Sequence, residues 1–412
     1  MLAIIDSSDR AALDALLDRR PSRDPALRRR VASIVAAVRK GGDEALVRFA
    51  RRFDGNDGPL EVSREEMEDG ARQVSPAARR ALAMAAKHIR LVARAQLPRT
   101  RRIAVARGLT VTERVTPLDR VGCYVPAGRY PLPSSLLMTV VPAKAAGVPE
   151  VFVACPRPAP IVMAAALEAG ATRMFRVGGA HAVAALAYGT GTIPRVDKIV
   201  GPGNRYVAAA KDLVSADCAI DFHAGPSEVV VLSTTAPPAW VAADLIAQAE
   251  HDPDARALLL TTRRSYAVQV AREVARALPE NGPAGAALFQ HGAIVVCRND
   301  DEAVALANRI APEHVHCSNA GLAARLSRAG TVFVGDATVP AAGDYATGSN
   351  HVLPTAGAAR FRGGLSAADF VRVIAVQEMT ARGLATLAPT VALLAREEGL
   401  EAHARSVEIR TS

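Results

Sequence analysis

Apolar residues recur at spacings of three and four through much of the first hundred positions, which is the period of an amphipathic helix. The first stripe consists of Leu27, Val31, Ile34, Val35 and Val38. The pair Gly41-Gly42 ends it. Two further helices are predicted over residues 45–53 and 77–97. We therefore expect a helical segment over residues 1–105, whose aliphatic stripes face a core or a dimer partner.

After Pro98 the pattern changes to short aliphatic and β-branched runs that alternate with helical ones. Strands are predicted over residues 120–125, 151–155, 174–177 and 198–200, with helices over 134–146, 161–169 and 182–188. A similar series follows, with strands over 229–232, 257–261, 292–297 and 331–335 and helices over 238–251, 265–278 and 301–310. This alternation predicts parallel strands joined by crossover helices, and therefore an α/β protein with an internal pseudo-repeat.

These patterns divide the chain into four predicted parts. A helical segment over 1–105 precedes two α/β domains over 106–227 and 228–369. The part over 370–412 is predicted to be a helical tail that packs on a partner subunit. A chain of 412 residues is long enough for two or three domains. With 50% hydrophobic and 22% charged residues, its composition is that of a folded protein.

The net charge of +9 comes largely from arginines, many of them in the first hundred residues. No aromatic residues are interleaved with them, and no zinc-finger or RNA-binding signature accompanies them, so nucleic-acid binding is not expected. We interpret these charges as solvated helix faces with a modest attraction for anionic ligands such as a dinucleotide.

The cysteines favour a reducing compartment. There are five, scattered and odd in number, and most lie inside apolar runs. This pattern predicts reduced thiols in the cytoplasm instead of a disulfide framework. We expect neither a signal peptide nor a membrane-spanning segment.

The sequence A-P-E-H-V-H at residues 311–316 places Glu313 beside His314, directly after a predicted helix. Both side chains can transfer protons near neutral pH once a pocket shifts their pKa values. The alternative is a solvated turn, which two neighbouring polar residues often form.

Two glycine-containing turns are candidates for nucleotide binding. The sequence G-P-G-N-R-Y at 201–206 lies between a predicted strand and a helix, where backbone N–H groups can approach a diphosphate. A tight structural turn is the alternative. The loop over 124–130 also follows a strand, and its Arg129 is available for phosphate. Near the second α/β series, Ser227 either binds substrate or caps a turn.

Potential metal ligands are spread over three stretches. Gln248 and His251 are three residues apart and share one helix face. Asp344 and His351 lie in a glycine-containing loop. The last helix adds Glu398 and His403. Each residue could serve at the surface or as a cap, but together they would form a zinc site without cysteine.

Six motifs occur in the same order in histidinol dehydrogenases, and the resemblance covers nearly the whole chain. They are G-P-G-N at 201–204, A-G-P-S-E at 224–228, A-Q-A-E-H-D at 247–252, A-P-E-H at 311–314, N-H-V-L-P-T at 350–355 and E-G-L-E-A-H at 398–403. The resemblance implies a homodimer with two incomplete Rossmann-like α/β domains and a C-terminal segment exchanged between subunits. It also implies NAD, one zinc ion per site and oxidation of an amino alcohol to the amino acid through an enzyme-held aldehyde.

The resemblance also implies roles for individual residues. The zinc ligands would be Gln248, His251, Asp344 and, from the partner chain, His403. His314 would take the hydroxyl proton, and Glu313 would activate water. Besides these six, the substrate would contact Ser227, His351 and Glu398. The nucleotide would contact Tyr124, His181 and Asn204.

Four positions depart from the family pattern. Ala127 replaces a glycine of the first loop and Arg129 follows it, His181 replaces a glutamine, and Ser349 replaces a proline. The departures lie on the nucleotide and substrate side, while the zinc and proton-transfer residues are complete. This fits a histidinol dehydrogenase or a paralogue that oxidises another small alcohol, such as a sulfonated diol. The presence of Glu398 and His403 favours histidinol, and the complete set disfavours a non-enzymatic binding protein.

Overall fold

The computed structural model describes residues 2–17, 24–128, 130–222 and 225–411. The strands are β1 (Ala3–Asp6), β2 (Glu61–Val62), β3 (Arg101–Ala106), β4 (Leu109–Pro117), β5 (Arg120–Tyr124), β6 (Glu150–Ala154), β7 (Arg173–Phe175), β8 (Lys198–Val200), β9 (Ala219–Ile220), β10 (Glu228–Leu232), β11 (Arg256–Thr261), β12 (Ala293–Val296), β13 (His314–Cys317), β14 (Thr331–Val334) and β15 (Val371–Met379).

The helices alternate with these strands through the middle of the chain. They are α1 (Arg10–Leu17), α2 (Pro25–Phe49), α3 (Arg64–Arg72), α4 (Pro76–Gln96), α5 (Pro133–Ala145), α6 (Pro160–Ala169), α7 (Gly179–Tyr188), α8 (Arg205–Val214), α9 (Pro238–Ala249), α10 (Arg264–Ala277), α11 (Ala284–His291), α12 (Asp300–Ile310), α13 (Ala320–Ala323), α14 (Pro340–Tyr345), α15 (Ala381–Glu397) and α16 (Glu401–Glu408). The predicted helices and strands of the two α/β series are present, with small shifts at their ends.

Two sheets share one topology, which confirms the predicted α/β fold with two similar halves. The first sheet has the strand order β2-β7-β6-β5-β8-β9 and the second β1-β12-β11-β10-β13-β14. In each, a central strand is followed by two strands on one side and then two on the other. The pairs are parallel, except that β2 runs antiparallel to β7. In each sheet one edge strand, β2 or β1, comes from the N-terminal segment.

Helices cover both faces of each sheet. Alternate side chains of a strand point to opposite faces, and here both sets are apolar and need to be covered. On β10, Val229 and Val231 belong to one apolar cluster with α9 and α10, while Val230 and Leu232 belong to another with α12. The first sheet has the same arrangement, with α3 to α6 on one face and α2, α7 and α8 on the other. The strands are therefore buried on both sides, as their uninterrupted apolar runs predict.

A third, antiparallel sheet has the order β15-β4-β3. Strand β15 pairs with β4 from Val371 opposite Pro117 to Met379 opposite Leu109. The prediction that the chain is helical throughout residues 370–412 is therefore wrong for this strand. The partner of β15 lies more than 250 residues earlier in the chain, and a strand with both faces largely accessible has no strong apolar alternation to reveal it.

The N-terminal segment also differs from a purely helical one, because β1, β2 and most of β3 lie within residues 1–105. Its predicted helices are present, and the predicted stop at Gly41-Gly42 is a kink inside α2 at Gly42, where φ is 51°. The domain boundaries themselves stay a prediction. Within the described residues, none of the helices is long and apolar enough to cross a membrane.

Candidate active site

The Glu313–His314 pair is buried at the start of β13, so the alternative of a solvated turn is wrong. Helix α12 ends at Ile310, and Ala311 adopts a left-handed backbone conformation with φ of 49° that turns the chain toward β13. Only 6% of Glu313 and 4% of His314 is exposed. Two ionisable side chains are therefore held side by side in an environment that penalises their charged forms.

Both side chains are held by the backbone of one residue, Glu228, at the start of the neighbouring strand β10. The Glu228 N–H donates to Glu313 Oε2 at 2.8 Å. The Nδ1 of His314 lies 3.3 Å from the Glu228 carbonyl oxygen. Since a carbonyl oxygen can only accept, Nδ1 carries the proton and Nε2 keeps its lone pair.

Burial shifts the pKa values of the pair in opposite directions. It raises the pKa of Glu313 well above its ordinary value, against the lowering effect of the Glu228 hydrogen bond. It lowers the pKa of His314 to about 4, with further lowering from the nearby His351 and His251 and opposition from the Glu228 carbonyl. At neutral pH the imidazole is neutral and can accept a proton at Nε2.

The next residues of the pocket, Asp344 and His351, lie on and after α14. The carboxylate of Asp344 comes within 3.8 Å of His314 Nε2. The backbone carbonyl of Asp344 accepts a hydrogen bond from His351 Nδ1 at 2.9 Å. Burial raises the pKa of Asp344 to about 6, partly offset by the charge of His251. Burial also lowers the pKa of His351 to about 4.

Helices of the first sheet hold this loop in place. His88 on α4 donates from Nδ1 to the Ala346 carbonyl at 2.7 Å. Asn350 donates from Nδ2 to the Met138 carbonyl on α5 at 2.7 Å. On the same helix, Ser135 Oγ is 3.5 Å from His351 Nε2. The loop with Asp344 and His351 therefore lies between the Glu313–His314 pair of the second sheet and helices α4 and α5 of the first.

Helix α9 supplies a buried amide near its C-terminal end. Gln248 is 5% exposed, and its side-chain Nε2 is buried without a hydrogen-bond partner. The two ends of a glutamine amide can be exchanged by rotation, so a ligand-binding oxygen can take this place. The exposed His251 follows the helix, and its charge acts on both Asp344 and His314. Gln248, His251 and Asp344 thus come from the two elements that border the pair.

The described parts of the chain contain no cluster of three or more His, Cys, Asp or Glu residues that could hold a metal by themselves. Glu398 is exposed at the end of α15 and His403 is exposed on α16. In these parts neither side chain forms a hydrogen bond or an ion pair with the pocket residues. The metal assignment of the four predicted ligands stays a prediction.

The predicted nucleotide residues surround the carboxyl ends of β5, β7 and β8. The Tyr124 hydroxyl accepts a hydrogen bond from Gly179 N–H at 3.0 Å. His181 Nε2 is 2.8 Å from Asp54 Oδ2, so this histidine is buried against a carboxylate. The side chain of Asn204 accepts hydrogen bonds from Tyr206 and Val207 and caps α8. Ligands of doubly wound sheets bind at such an edge, between β5 and β8, where the strand order reverses.

The remaining predicted positions are less informative. Ser227 lies just before β10, and its carbonyl accepts a hydrogen bond from Arg256 N–H at 2.9 Å. Ser349 Oγ is 2.9 Å from Thr347 Oγ1. Ala127 is partly exposed, and Arg129 lies outside the described residues.

The sequence patterns did not reveal several residues that hold the pocket residues in place through backbone or supporting contacts. Glu228 acts through its backbone, which no side-chain pattern can reveal. Ser135 and His88 lie in helices that read as ordinary packing elements. Asp54 follows α2 at the end of a π-helical turn, and its contacts with His181 and with the Gly178 N–H identify it.

A doubly wound α/β chain with a buried carboxyl–imidazole pair beside a second carboxylate has the features of an enzyme that combines proton transfer with nucleotide chemistry. The family model for histidinol dehydrogenase matches residues 17–411. The histidinol dehydrogenase of Pseudomonas aeruginosa is 44% identical, with 97% of this chain and 94% of the relative covered. That of Geobacter sulfurreducens is 43% identical, with 99% of both chains covered.

The crystal structure of histidinol dehydrogenase from Elizabethkingia anophelis superposes with a TM-score of 0.94 at 32% identity and covers 99% of this chain and 98% of its own. The chain belongs to the histidinol dehydrogenase family and is an oxidoreductase of that family. The resemblance that the six motifs indicated is confirmed.

Replacement of His351 by Gln is expected to reduce the acid sensitivity of the metal-free protein. The folded-state pKa of about 4 is below the ordinary 6.5, so the unfolded chain binds the proton first. The stability contributed by neutral His351 is present above pH 6.5 and is lost as pH falls toward 4. The difference is roughly 3 kcal/mol. Urea unfolding at several pH values between 4.5 and 7.5 measures it.

The matched control is His291→Gln, which changes a half-exposed histidine on α11, outside the proposed donor set. It should keep the wild-type loss of stability in acid. An identical acid dependence in His351→Gln and wild type would contradict the burial argument.

Proposed function

We propose that this protein oxidises L-histidinol to L-histidine through an enzyme-held histidinal, with two molecules of NAD per turnover and one zinc ion per site. This is the last step of histidine biosynthesis. The single observation that carries the proposal is the buried Glu313–His314 pair, which the Glu228 backbone holds and the Asp344 carboxylate faces. The cytoplasm is the proposed location, in keeping with five free and buried cysteines.

The donor set fits zinc. The unpaired amide end of Gln248 is a buried polar atom that lacks a partner, and His251 and Asp344 border the same pocket. Nitrogen and oxygen donors of this kind suit zinc without any cysteine. Bound zinc would orient the substrate through its nitrogen atoms and its hydroxyl group. The fourth proposed ligand, His403, would come from the partner subunit.

A homodimer with an exchanged C-terminal segment accounts for the exposed apolar surface at this end of the chain. Leu393 and Leu394 on α15 are 61% and 59% exposed, and Val373 on β15 is 56% exposed. Large exposed apolar side chains of this kind are common at subunit interfaces. In such a dimer Glu398 and His403 would reach the pocket of the other subunit, where Glu398 would bind substrate.

The crevice at the carboxyl ends of β5 and β8 fits a dinucleotide. Tyr124, His181 and Asn204 would contact the nucleotide there, and the helix α8 begins there behind a glycine-containing turn. Bound NAD would accept the hydride from the substrate carbon. The N-terminal end of α8 would interact with the diphosphate.

His314 has the features of the base that takes the hydroxyl proton. Its Nδ1 donates to the Glu228 carbonyl. The lone pair is therefore on Nε2, which lies near the Asp344 carboxylate. A neutral imidazole is available at physiological pH because burial lowers the pKa to about 4. Ser227 and His351 would hold the substrate beside it.

Glu313 would act in the second half of the reaction, when water adds to the aldehyde. A carboxyl group whose pKa is raised by burial is a stronger base once ionised, which suits it to remove a proton from water. The Glu228 N–H bound to Oε2 fixes the carboxyl group, which leaves Oε1 for water.

The alternative is a paralogue that oxidises another small alcohol, such as a sulfonated diol. The observation that favours it is His181, which replaces the family glutamine and is bound to Asp54. The complete set of Glu398, His403 and the other substrate-side residues favours histidinol.

Purified protein with zinc and NAD should form two NADH per L-histidinol consumed, which absorbance at the NADH band measures. Small diols and other amino alcohols serve as comparison substrates. Turnover of one of these without any turnover of histidinol would refute the main proposal in favour of the paralogue.

Replacement of His251 by Asn should abolish stoichiometric zinc binding, because the imidazole ligand is lost. Metal analysis after dialysis measures it directly. The control His291→Asn changes a histidine on α11, outside the proposed donor set. Full zinc content in His251→Asn would refute the ligand assignment.

Replacement of Glu313 by Gln should slow oxidation of histidinal more than oxidation of histidinol, because only the second half needs activated water. We expect a loss of about a hundredfold or more in that half, within the range of general-base catalysis. Single-turnover assays started from each substrate separate the two halves. Equal losses in both would contradict this role.

A further inference from the structure

We propose that the buried ion pair between Lys211 and Asp221 is a positioning device that fixes the glycine turn for the nucleotide. This inference rests on the proposed use of NAD. Lys211 lies in the last turn of α8, and Asp221 follows β9. Both residues are almost completely buried, at 3% and 4% exposure. The sequence motifs assign neither of them a function.

The two charged groups hold the two polar groups of one residue, Gly201. The Gly201 N–H donates to Asp221 Oδ2 at 2.7 Å. The Gly201 carbonyl accepts a hydrogen bond from Lys211 Nζ at 3.0 Å. Lys211 Nζ also contacts Asp221 Oδ1, which accepts the Phe222 N–H at 2.6 Å. The pair and the glycine therefore form one closed network in which each oxygen of the carboxylate is used.

The backbone conformation and the surroundings of residue 201 both require glycine. Its φ is 111°, which L residues with a side chain rarely adopt. A Cβ atom would overlap the carbonyl oxygen of Tyr124 at the end of β5. The turn thus lies directly on the strand end that forms the other wall of the proposed nucleotide crevice.

The ion pair lies behind the turn, and the front of the turn is accessible. Residues 202–205 are partly or fully exposed, and α8 begins among them behind the cap of Asn204. Because both polar groups of Gly201 point to buried partners, the turn presents residues 202–205 to the crevice in one fixed orientation. A preorganised N-terminal helix end binds phosphate without the cost of ordering it first.

A stability role alone does not explain this arrangement well. The attraction within a buried ion pair has to offset the free energy lost when two charges are removed from water. Apolar residues of similar size often stabilise a fold equally well. Here both charges also bind the same peptide unit of the turn. The positioning role therefore predicts a specific loss of nucleotide affinity when the pair is neutralised, beyond any change in stability.

The test uses Asp221→Asn and the double variant Lys211→Met/Asp221→Asn in the full-length, zinc-loaded protein. The double variant leaves no unpaired buried charge, so it keeps the test valid if the single variant folds poorly. The control is Glu61→Gln, which removes a carboxylate bound by Arg173 at 2.8 and 2.6 Å on the outer edge of the same sheet. NADH binding is followed by fluorescence, steady-state constants are measured for both substrates, and urea unfolding reports folding.

In both Asp221 variants we expect the KM for NAD and the Kd for NADH to rise about tenfold or more, as the loss of a charge-assisted hydrogen bond predicts. The KM for histidinol should change less than about twofold, and Glu61→Gln should bind NADH like wild type. Folded Asp221 variants with wild-type NADH affinity would overturn the inference, as would equal increases in both KM values. Wild-type protein that binds no NADH would instead refute the proposed function.

Discussion

The pairing of β10 with β13 determines the geometry of the pocket. Because Val229 lies opposite His314, the peptide groups of Glu228 reach both Glu313 and His314. A shift of one residue in this register would turn each side chain to the opposite face and leave two buried polar groups without partners. Burial, tautomer and orientation of the pair all follow from this contact between residues 85 and 86 positions apart.

The two halves share one topology but differ at their edges. In the first sheet the Gly201 turn packs against the carboxyl end of β5, where the strand order reverses between β5 and β8. At the corresponding edge of the second sheet, Ser233 accepts hydrogen bonds from Ala236 N–H and Ser318 Oγ. These contacts use the polar groups of that edge internally. The Glu313–His314 pair lies instead at the amino end of β13, next to the Asp344 carboxylate.

The proposed nucleotide and proton-transfer sites are joined through the chain. Asp221, which holds the Gly201 turn, begins the segment that leads to Ser227 and Glu228. Asp221, which binds the Gly201 turn, and Glu228, which binds Glu313 and His314, are therefore only a few residues apart in the sequence.

The sequence by itself determined the α/β class, the pseudo-repeat, the family and the identity of the candidate residues, because these depend on local periodicity and on ordered motifs. It missed β1, β2 and β15, since their partners are distant in the chain. It also missed β3 and β4, which pair with each other but are too accessible to show a buried apolar run. Only the tertiary structure decided that Glu313 and His314 are buried, that Nδ1 of His314 carries the proton and that Lys211 and Asp221 hold Gly201. Those properties arise from desolvation and hydrogen bonds between segments that folding brings together.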